Sequence, residues 1–162
     1  MNKNEIINLF NDFNQLNVLV IGDVMVDTYY FGEVDRISPE APVPIVSLQN
    51  RESRLGGAAN VALNIQALGA NPILCAAIGD DDDGKLFRQL LSTQDLSDEG
   101  IFTSNDRITT VKTRIIGNNH QVLRVDSETD KLLSTTDNSS FIKNITSILQ
   151  SQKIDAVIFE DY

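Results

Sequence analysis

The segment Arg54-Leu-Gly-Gly-Ala-Ala-Asn-Val-Ala-Leu-Asn64 contains two adjacent glycines, Gly56 and Gly57, followed by two alanines and Asn60. It predicts a tight turn that opens directly into a helix, because glycine adopts positive φ and lets a ligand approach the backbone. Free N–H groups and the positive end of the helix dipole would face that ligand, and the Asn60 amide would face its hydroxyl groups. A glycine linker before an ordinary buried helix explains the segment equally well.

Two continuous aliphatic runs flank this segment, Val18-Leu-Val-Ile21 before it and Ile73-Leu-Cys-Ala-Ala-Ile78 after it. Such runs are typical of central strands that are buried on both faces of a parallel sheet. The first run stops at Gly22 and Asp23, and open α/β sheets bind ligands at the carboxyl ends of their strands. Asp23 is therefore a candidate ligand-binding carboxylate, with a role as a turn former or helix N-cap as the alternative.

The insertion between the first strand and the glycine pair is β-type. Residues 28–31 and 44–48 are rich in aromatic and branched side chains, and three prolines within 37–44 exclude a helix there. These segments predict a small side sheet that covers a site or pairs with a second subunit. Elsewhere the patterns predict helices over residues 4–13, 56–68, 85–91 and 139–151, strands over 18–21, 72–78, 101–103 and 156–159, and a hairpin formed by 109–116 and 121–126.

Charged side chains alternate along this hairpin. Lys112 and Arg114 share one face of their strand, because side chains repeat every two residues, and they are candidates to receive a substrate phosphate. Arg124 and Asp126 also share a face, so they either take part in binding or pair with each other. Exposed charges on an antiparallel hairpin are the alternative for the whole group.

The segment Gly79-Asp-Asp-Asp-Asp-Gly-Lys85 has the spacing of the first seven positions of a phosphate-binding P-loop. Two features argue against such a loop: Leu86 replaces the hydroxyl residue that would bind Mg²⁺, and four carboxylates would repel phosphate oxygens. Consecutive aspartates also lack the spacing of an EF-hand. We interpret the segment as a solvated acidic turn that caps the next helix.

The composition argues against several classes of protein. A chain of 162 residues with a formal net charge of −10 lacks the basic face that nucleic-acid binding requires. His120 is the only histidine, which excludes a histidine-cluster metal site. Cys75 lies in an apolar run, as expected of a buried hydrophobe rather than a catalytic thiol. Neither a signal peptide nor a long apolar run is found, which predicts a cytoplasmic protein without membrane contact.

Four motifs, in this order, resemble those of the ribokinase-like (PfkB) carbohydrate kinases. They are Val20-Ile-Gly-Asp-Val-Met-Val-Asp27, Ile37-Ser-Pro-Glu-Ala-Pro-Val-Pro44, Gly56-Gly-Ala-Ala-Asn-Val-Ala62 and Ile78-Gly-Asp-Asp81. The resemblance extends from Val18 to Tyr162. It implies an α/β fold in which helices flank a mostly parallel sheet and a small β lid follows the first strand. Within the family, the second motif and the pair Val125-Asp126 are most similar to kinases of D-glycero-D-manno-heptose 7-phosphate.

The resemblance also implies cofactors, partners and roles for individual residues. The implied substrate-binding residues are Asp23, Gly56, Gly57, Asn60, Lys112, Arg124 and Asp126. Asp23 and Asn60 would hold the sugar, and the glycine pair would flex as the lid closes. The three residues of the hairpin would contact the substrate and its phosphate. The lid, at about residues 28–48 and 109–126, often pairs between subunits in this family, which implies a homodimer. ATP and Mg²⁺ are the implied cofactors, a sugar phosphate is the implied small-molecule substrate, and no resident metal site is predicted.

One departure from the family concerns catalysis. PfkB kinases carry their catalytic aspartate in a Gly-Ala-Gly-Asp motif in the second half of a longer chain, and no Gly-x-Gly-Asp occurs in these 162 residues. We therefore expect residues 1–162 to be the N-terminal portion of one kinase domain, with the catalytic base and the C-terminal part of the fold beyond residue 162. A non-enzymatic sugar-binding or dimerisation module and a PfkB kinase of different sugar specificity are the alternatives.

Overall fold

The computed structural model describes residues 2–161. Its elements, in chain order, are α1 (Lys3–Phe13), β1 (Asn17–Gly22), β2 (Val24–Ile37), β3 (Pro44–Gly57), α2 (Ala58–Ala67), β4 (Asn71–Gly79), α3 (Asp82–Thr93), β5 (Ile101–Ser104), β6 (Val111–Gly117), β7 (His120–Ser127), α4 (Thr135–Ser151) and β8 (Ala156–Glu160). The strands form a main sheet of order β5-β4-β1-β8 and a side sheet of order β3-β2-β6-β7. Among the described residues, none of the helices has the length and apolar character needed to cross a bilayer.

The main sheet is parallel throughout and is covered by helices on both faces. Val20 packs in a core with α2 and α3, to which these helices contribute Ala62 and Phe87. Its neighbour Leu19 points to the opposite face and packs with Ile148 of α4. Because both faces of β1 are buried, its sequence is continuously aliphatic rather than alternating. The predicted α/β fold, with helices flanking a mostly parallel sheet, is confirmed.

The direction in which the main sheet is built reverses next to β1. The chain passes from β1 outward to β4 and then to β5, and it later returns to place β8 on the other side of β1. At this junction the Asp23 amide, just beyond β1, donates a 3.3 Å hydrogen bond to the carbonyl oxygen of Glu160 at the end of β8. Such a switch point at the carboxyl ends of parallel strands is where open α/β sheets bind ligands.

The predicted side sheet is present and is larger than the sequence suggested. Strand β2 pairs antiparallel with β3 and parallel with β6, and β6 pairs antiparallel with β7. The register of β2 and β3 runs from Val24 opposite Gly57 to Ile37 opposite Pro44. Local patterns marked only the aromatic and branched parts of these strands, because the polar remainder is kept in strand form by its partner.

The turn predicted at the glycine pair is wrong, since Gly56 and Gly57 are the last residues of β3 and α2 begins at Ala58. The positive φ expected there is found at Gly57, with a value of 60°. A side chain at Gly57 would overlap the carbonyl oxygen of Asp23, which accepts a 2.8 Å hydrogen bond from the amide of Ala58. The glycine therefore lets the end of β3 approach the end of β1 closely.

The acidic segment behaves as a helix cap, as predicted. The side chain of Asp81 is the N-cap of α3 and accepts a 2.7 Å hydrogen bond from the amide of Gly84. Asp82 and Asp83 lie in the first helical turn, where the helix dipole favours negative charge. Burial of Cys75 is also confirmed, since its side chain is inaccessible and burial raises its pKa to about 11.

Candidate active site

A pocket of about 580 Å³ lies at the switch point between β1 and β8. It is bounded by the end of β1, the start of β2, the loop between β5 and β6, strand β6 itself, and the segment between β7 and α4. Its polar lining residues include Asp23, Arg107, Lys112, Glu128, Lys131 and Asn138. The pocket thus combines carboxylates with cationic groups, which suits a polyhydroxylated ligand that carries an anionic group.

Two of the seven residues expected to bind substrate, Asp23 and Lys112, line this pocket. Asp23 is exposed to solvent at the junction of β1 and β2. Its main chain bonds to Glu160 on one side and to Ala58 on the other. The backbone of Asp23 is thus fixed by neighbouring strand and helix ends, at a position that lines the pocket.

Lys112 is only 8% exposed, so the alternative of an exposed charge on the hairpin is wrong for this residue. Its Nζ lies 2.8 Å from Oε2 of Glu128 and 3.5 Å from Oδ2 of Asp126. The hydrogen bond with Glu128 raises the pKa of Lys112, and the nearby Asp126 charge adds to this against the opposing effect of desolvation. Lys112 is therefore a buried, charged and paired group at the edge of the pocket.

Arg124 and Asp126 lie on β7 and do not line the pocket. Nε of Arg124 donates a 3.0 Å hydrogen bond to Oδ1 of Asp126, which confirms the mutual pairing that the sequence allowed. Burial works against ionisation of Asp126, but the Arg124 and Lys112 contacts outweigh it and lower its pKa. Asp126 is connected to the pocket through Lys112.

Gly56, Gly57 and Asn60 lie at the junction of β3 and α2, and they do not line the pocket either. Asn60 is exposed in the first turn of α2. A Cβ at Gly56 would lie 2.5 Å from Oδ2 of Asp27, so this glycine leaves room for that carboxylate. Substrate contact by the glycine pair and by Asn60 stays a prediction.

Sequence reasoning missed the polar group that stands beside Gly56. Asp27 of β2 forms a hydrogen-bonded ion pair with Nη1 of Arg114 on β6, and both side chains are largely buried. The Arg114 guanidinium also lies 5.3 Å from the ring centroid of Tyr29, and Arg54 lies 5.1 Å from the same ring. The signal in the sequence was the alternation of Asp27 and Tyr29 on one face of a strand. Local pattern could not identify β6, which carries Arg114, as the strand that pairs with β2.

Arg107 was also missed, because it lies in the polar loop between β5 and β6 and belongs to no periodic pattern. It lines the pocket, and its Nε is buried without a hydrogen-bond partner among residues 2–161. The loop is anchored next to it: the amide of Thr109 donates to Oδ2 of Asp81 over 2.7 Å, and Oγ1 of Thr109 accepts from the amide of Gly79 over 3.0 Å.

Glu160, at the end of β8, is a second carboxylate near the switch point, next to Asp23. Its Oε2 is buried and has no hydrogen-bond partner within residues 2–161. Burial raises the pKa of Glu160, and the charges of Asp23 and Asp161 raise it further. The described residues contain no group of three or more His, Cys, Asp or Glu side chains placed to hold a metal ion.

A match to a family model identifies the class of protein to which this fold belongs. A model of the pfkB family carbohydrate kinases matches residues 15–158, and the chain belongs to this family.

Two relatives are much longer than this chain. The bifunctional protein HldE of Helicobacter pylori (strain P12) is 43% identical over 145 residues, which cover 90% of this chain and 31% of the relative. The bifunctional protein HldE of Citrifermentans bemidjiense is 36% identical over 162 residues, covering 100% of this chain and 33% of the relative. The chain thus spans about a third of the length of these curated relatives.

Solved structures of carbohydrate kinases share the fold. A carbohydrate kinase from Agrobacterium tumefaciens has a TM-score of 0.55 at 21% identity, over 70% of this chain and 36% of that chain. A ribokinase from Cryptococcus neoformans var. grubii serotype A, in complex with ADP, has a TM-score of 0.52 at 20% identity, over 90% of this chain and 49% of that chain. At these identities the likeness shows the fold alone.

Proposed function

We propose that the chain is the sugar-binding part of an ATP-dependent kinase that converts D-glycero-D-manno-heptose 7-phosphate to the 1,7-bisphosphate, a step of ADP-heptose synthesis for the lipopolysaccharide core. Membership of the pfkB family supports a carbohydrate substrate. The motif Ile37-Ser-Pro-Glu-Ala-Pro-Val-Pro44 and the two bifunctional HldE relatives favour the heptose phosphate.

The observation that carries this proposal is the mixed charge of the pocket at the switch point. Asp23 supplies an acceptor for sugar hydroxyl groups, and the same pocket contains Arg107, Lys112 and Lys131. Guanidinium and ammonium groups are the usual partners of phosphate oxygens. A sugar phosphate matches both kinds of group, because its hydroxyl groups suit the carboxylate and its phosphate suits the cationic side chains.

Phosphoryl transfer depends mainly on positioning and on neutralising charge, with a carboxylate base that takes the proton of the attacking hydroxyl. In this family the base belongs to a Gly-Ala-Gly-Asp motif, and the sequence has none. We therefore propose that the chain by itself binds the sugar but has no kinase activity. ATP as the donor is supported by the ADP complex of the fungal ribokinase. The described residues offer no carboxylate cluster that fits Mg²⁺, so no role of this chain in holding the ion is proposed.

The side sheet is the proposed lid and the proposed dimer interface. Its edge strand β7 is exposed along its whole length, and Leu123 and Val125 are 53% and 50% exposed. An open strand with apolar side chains is a template for pairing with another copy. This arrangement supports a homodimer through the lid.

The proposed activity is tested by ³¹P NMR of heptose 7-phosphate with Mg·ATP. The assay compares the 162-residue chain with a longer form that extends beyond residue 162 and contains a Gly-Ala-Gly-Asp motif. We expect a new anomeric phosphate signal from the longer protein only. Asp23→Asn should lower kcat/KM about 10-fold or more, because it removes a charged acceptor. Asp35→Asn, which changes an exposed residue of β2, should not.

Other outcomes would favour the alternatives. Turnover of another sugar phosphate but not of the heptose would indicate a PfkB kinase of different specificity. Turnover of no sugar by the longer protein would indicate a binding or dimerisation module. Turnover by the pure 162-residue chain would contradict the proposal that it lacks a catalytic base.

A further inference from the structure

We propose that Arg107 binds the phosphate group that the substrate already carries, in an anion subsite of the pocket. This inference rests on the proposed function for the identity of the sugar phosphate. The subsite itself depends on which cationic side chains around the pocket already have acidic partners.

Arg107 has a buried nitrogen without a partner. Its Nε is shielded from solvent and has no hydrogen-bond partner among residues 2–161, although the side chain lines a pocket of about 580 Å³. A buried donor without an acceptor is unfavourable, and buried polar groups in native proteins almost always have partners. We take the missing acceptor to be a group of the ligand, because the Arg107 side chain lines the pocket.

Two other cations near the pocket are already paired with carboxylates, and the remaining one, Lys131, is exposed to solvent. Lys112 is held by Glu128 and Asp126, and Arg114 is held by Asp27. A phosphate approaching Lys112 would have to compete with two carboxylates for the same ammonium group. Nε of Arg107 has no such competing partner among residues 2–161. Its planar guanidinium can also donate two parallel hydrogen bonds to one phosphate group.

The loop that carries Arg107 is held in place by hydrogen bonds within the protein. Asp81 accepts hydrogen bonds from the amides of both Thr109 and Gly84, each over 2.7 Å. On the other side of the loop, Oγ of Ser104 accepts from the amide of Asp106 over 3.1 Å and donates to Oδ2 of Asp137 over 2.5 Å. Binding therefore requires little additional ordering of this backbone.

The acidic residues of the pocket are suited to bind the hydroxyl groups of the ligand rather than its phosphate. Asp23 lies at the end of β1, and Glu128 and Asp130 lie on the segment that follows β7. Carboxylates repel a phosphate and accept hydrogen bonds from hydroxyl groups. The subsite therefore orients a sugar phosphate, with its phosphate at Arg107 and its hydroxyls at the carboxylates.

The experiment is calorimetric titration of the 162-residue chain with three probes: heptose 7-phosphate, the unphosphorylated heptose and fructose 6-phosphate. The variants are Arg107→Ala and Arg107→Lys, and the matched control is Arg36→Ala, at an exposed arginine of β2 outside the pocket. Circular dichroism checks that each variant is folded. Arg107→Ala should weaken binding of the phosphorylated sugar about 10- to 100-fold, with binding of the unphosphorylated heptose unchanged. Arg107→Lys should retain part of the preference.

The outcomes distinguish failure of the Arg107 subsite from failure of the proposed function. If Arg107→Ala keeps the preference for the phosphorylated sugar, or weakens all three probes equally, the subsite is wrong and the proposed function stands. If the wild-type chain prefers fructose 6-phosphate and this preference needs Arg107, the subsite stands and the heptose assignment fails. If the wild-type chain binds no phosphorylated sugar, both fail.

Discussion

Lys112 is a buried lysine that is paired with two carboxylates. In register, it lies opposite Asp27 of β2 and Asp126 of β7, and its closest partner is Glu128. A lysine is rarely buried unless it is paired. The sequence predicted which strand face carries Lys112, but its burial follows from the parallel pairing of β6 with β2, which no local pattern indicates.

Replacing Lys112 by methionine should destabilise the protein by about 1–3 kcal/mol, because Glu128 loses its hydrogen-bond donor in a partly buried place. Urea unfolding at neutral pH measures this loss. Lys131→Met, at an exposed lysine of the pocket rim, is the control and should change stability by less than about 0.5 kcal/mol.

The pH dependence of this effect has a definite sign. The pKa of Lys112 in the folded protein is raised above its ordinary value of 10.5. Its contribution is therefore complete below that value and is lost as the pH rises through the raised pKa. Equal stability of Lys112→Met and wild type at neutral pH would show that the pair contributes nothing.

Helix α3 depends on a side chain that serves two elements at once. Asp81 caps α3 through the amide of Gly84 and anchors the loop before β6 through the amide of Thr109. Burial disfavours its ionised form, but the hydrogen bonds from Thr109 and Gly84 outweigh burial and lower its pKa. The cap was predictable from sequence, whereas the link to the Arg107 loop was not.

We expect Asp81→Ala to cost about 1–2 kcal/mol of stability at neutral pH, the usual cost of losing an N-cap. Since the folded pKa lies below the ordinary value of 3.8, this contribution is present above that pH and is lost as the pH falls through the lowered pKa. Urea unfolding at pH 7 and in acid measures both effects. Asp82→Ala removes an exposed ion pair with Lys85 and a charge at the helix N-terminus but leaves the cap in place, so it is the control. An Asp81→Ala loss that persists unchanged in acid would contradict this account.

Helices and strands that depend on their own sequence pattern were predicted better than those that depend on a partner strand or a capping side chain. The aliphatic run of β1 identified its strand to within one residue at each end, and the amphipathic pattern of α3 identified a helix that is longer than predicted by three residues at its start and two at its end. Residues 56 and 57 were assigned to a turn, because the pairing that keeps them in β3 comes from β2. Helix α4 begins at Thr135, before the predicted residue 139, since the hydroxyl of Ser134 caps it by accepting from the amide of Asp137.

At the scale of the whole molecule, the pocket is a product of the two sheets meeting. Only Asp23 separates β1 of the main sheet from β2 of the side sheet, so the two sheets are joined at the pocket. Asp23 enters it from this junction, Lys112 from the side sheet and Arg107 from the connection between the sheets. Sequence motifs identified Asp23 and Lys112, but Arg107 becomes visible only when the strand order is known.

The measurement that tests the central claim most directly is calorimetric titration of this chain with D-glycero-D-manno-heptose 7-phosphate, alongside Asp23→Ala. The account predicts saturable binding by the wild-type chain and a loss of affinity of about 10-fold or more in the variant. A folded wild-type chain that does not bind, or a variant that binds equally well, would contradict the claim that the pocket after β1 is the sugar-phosphate site.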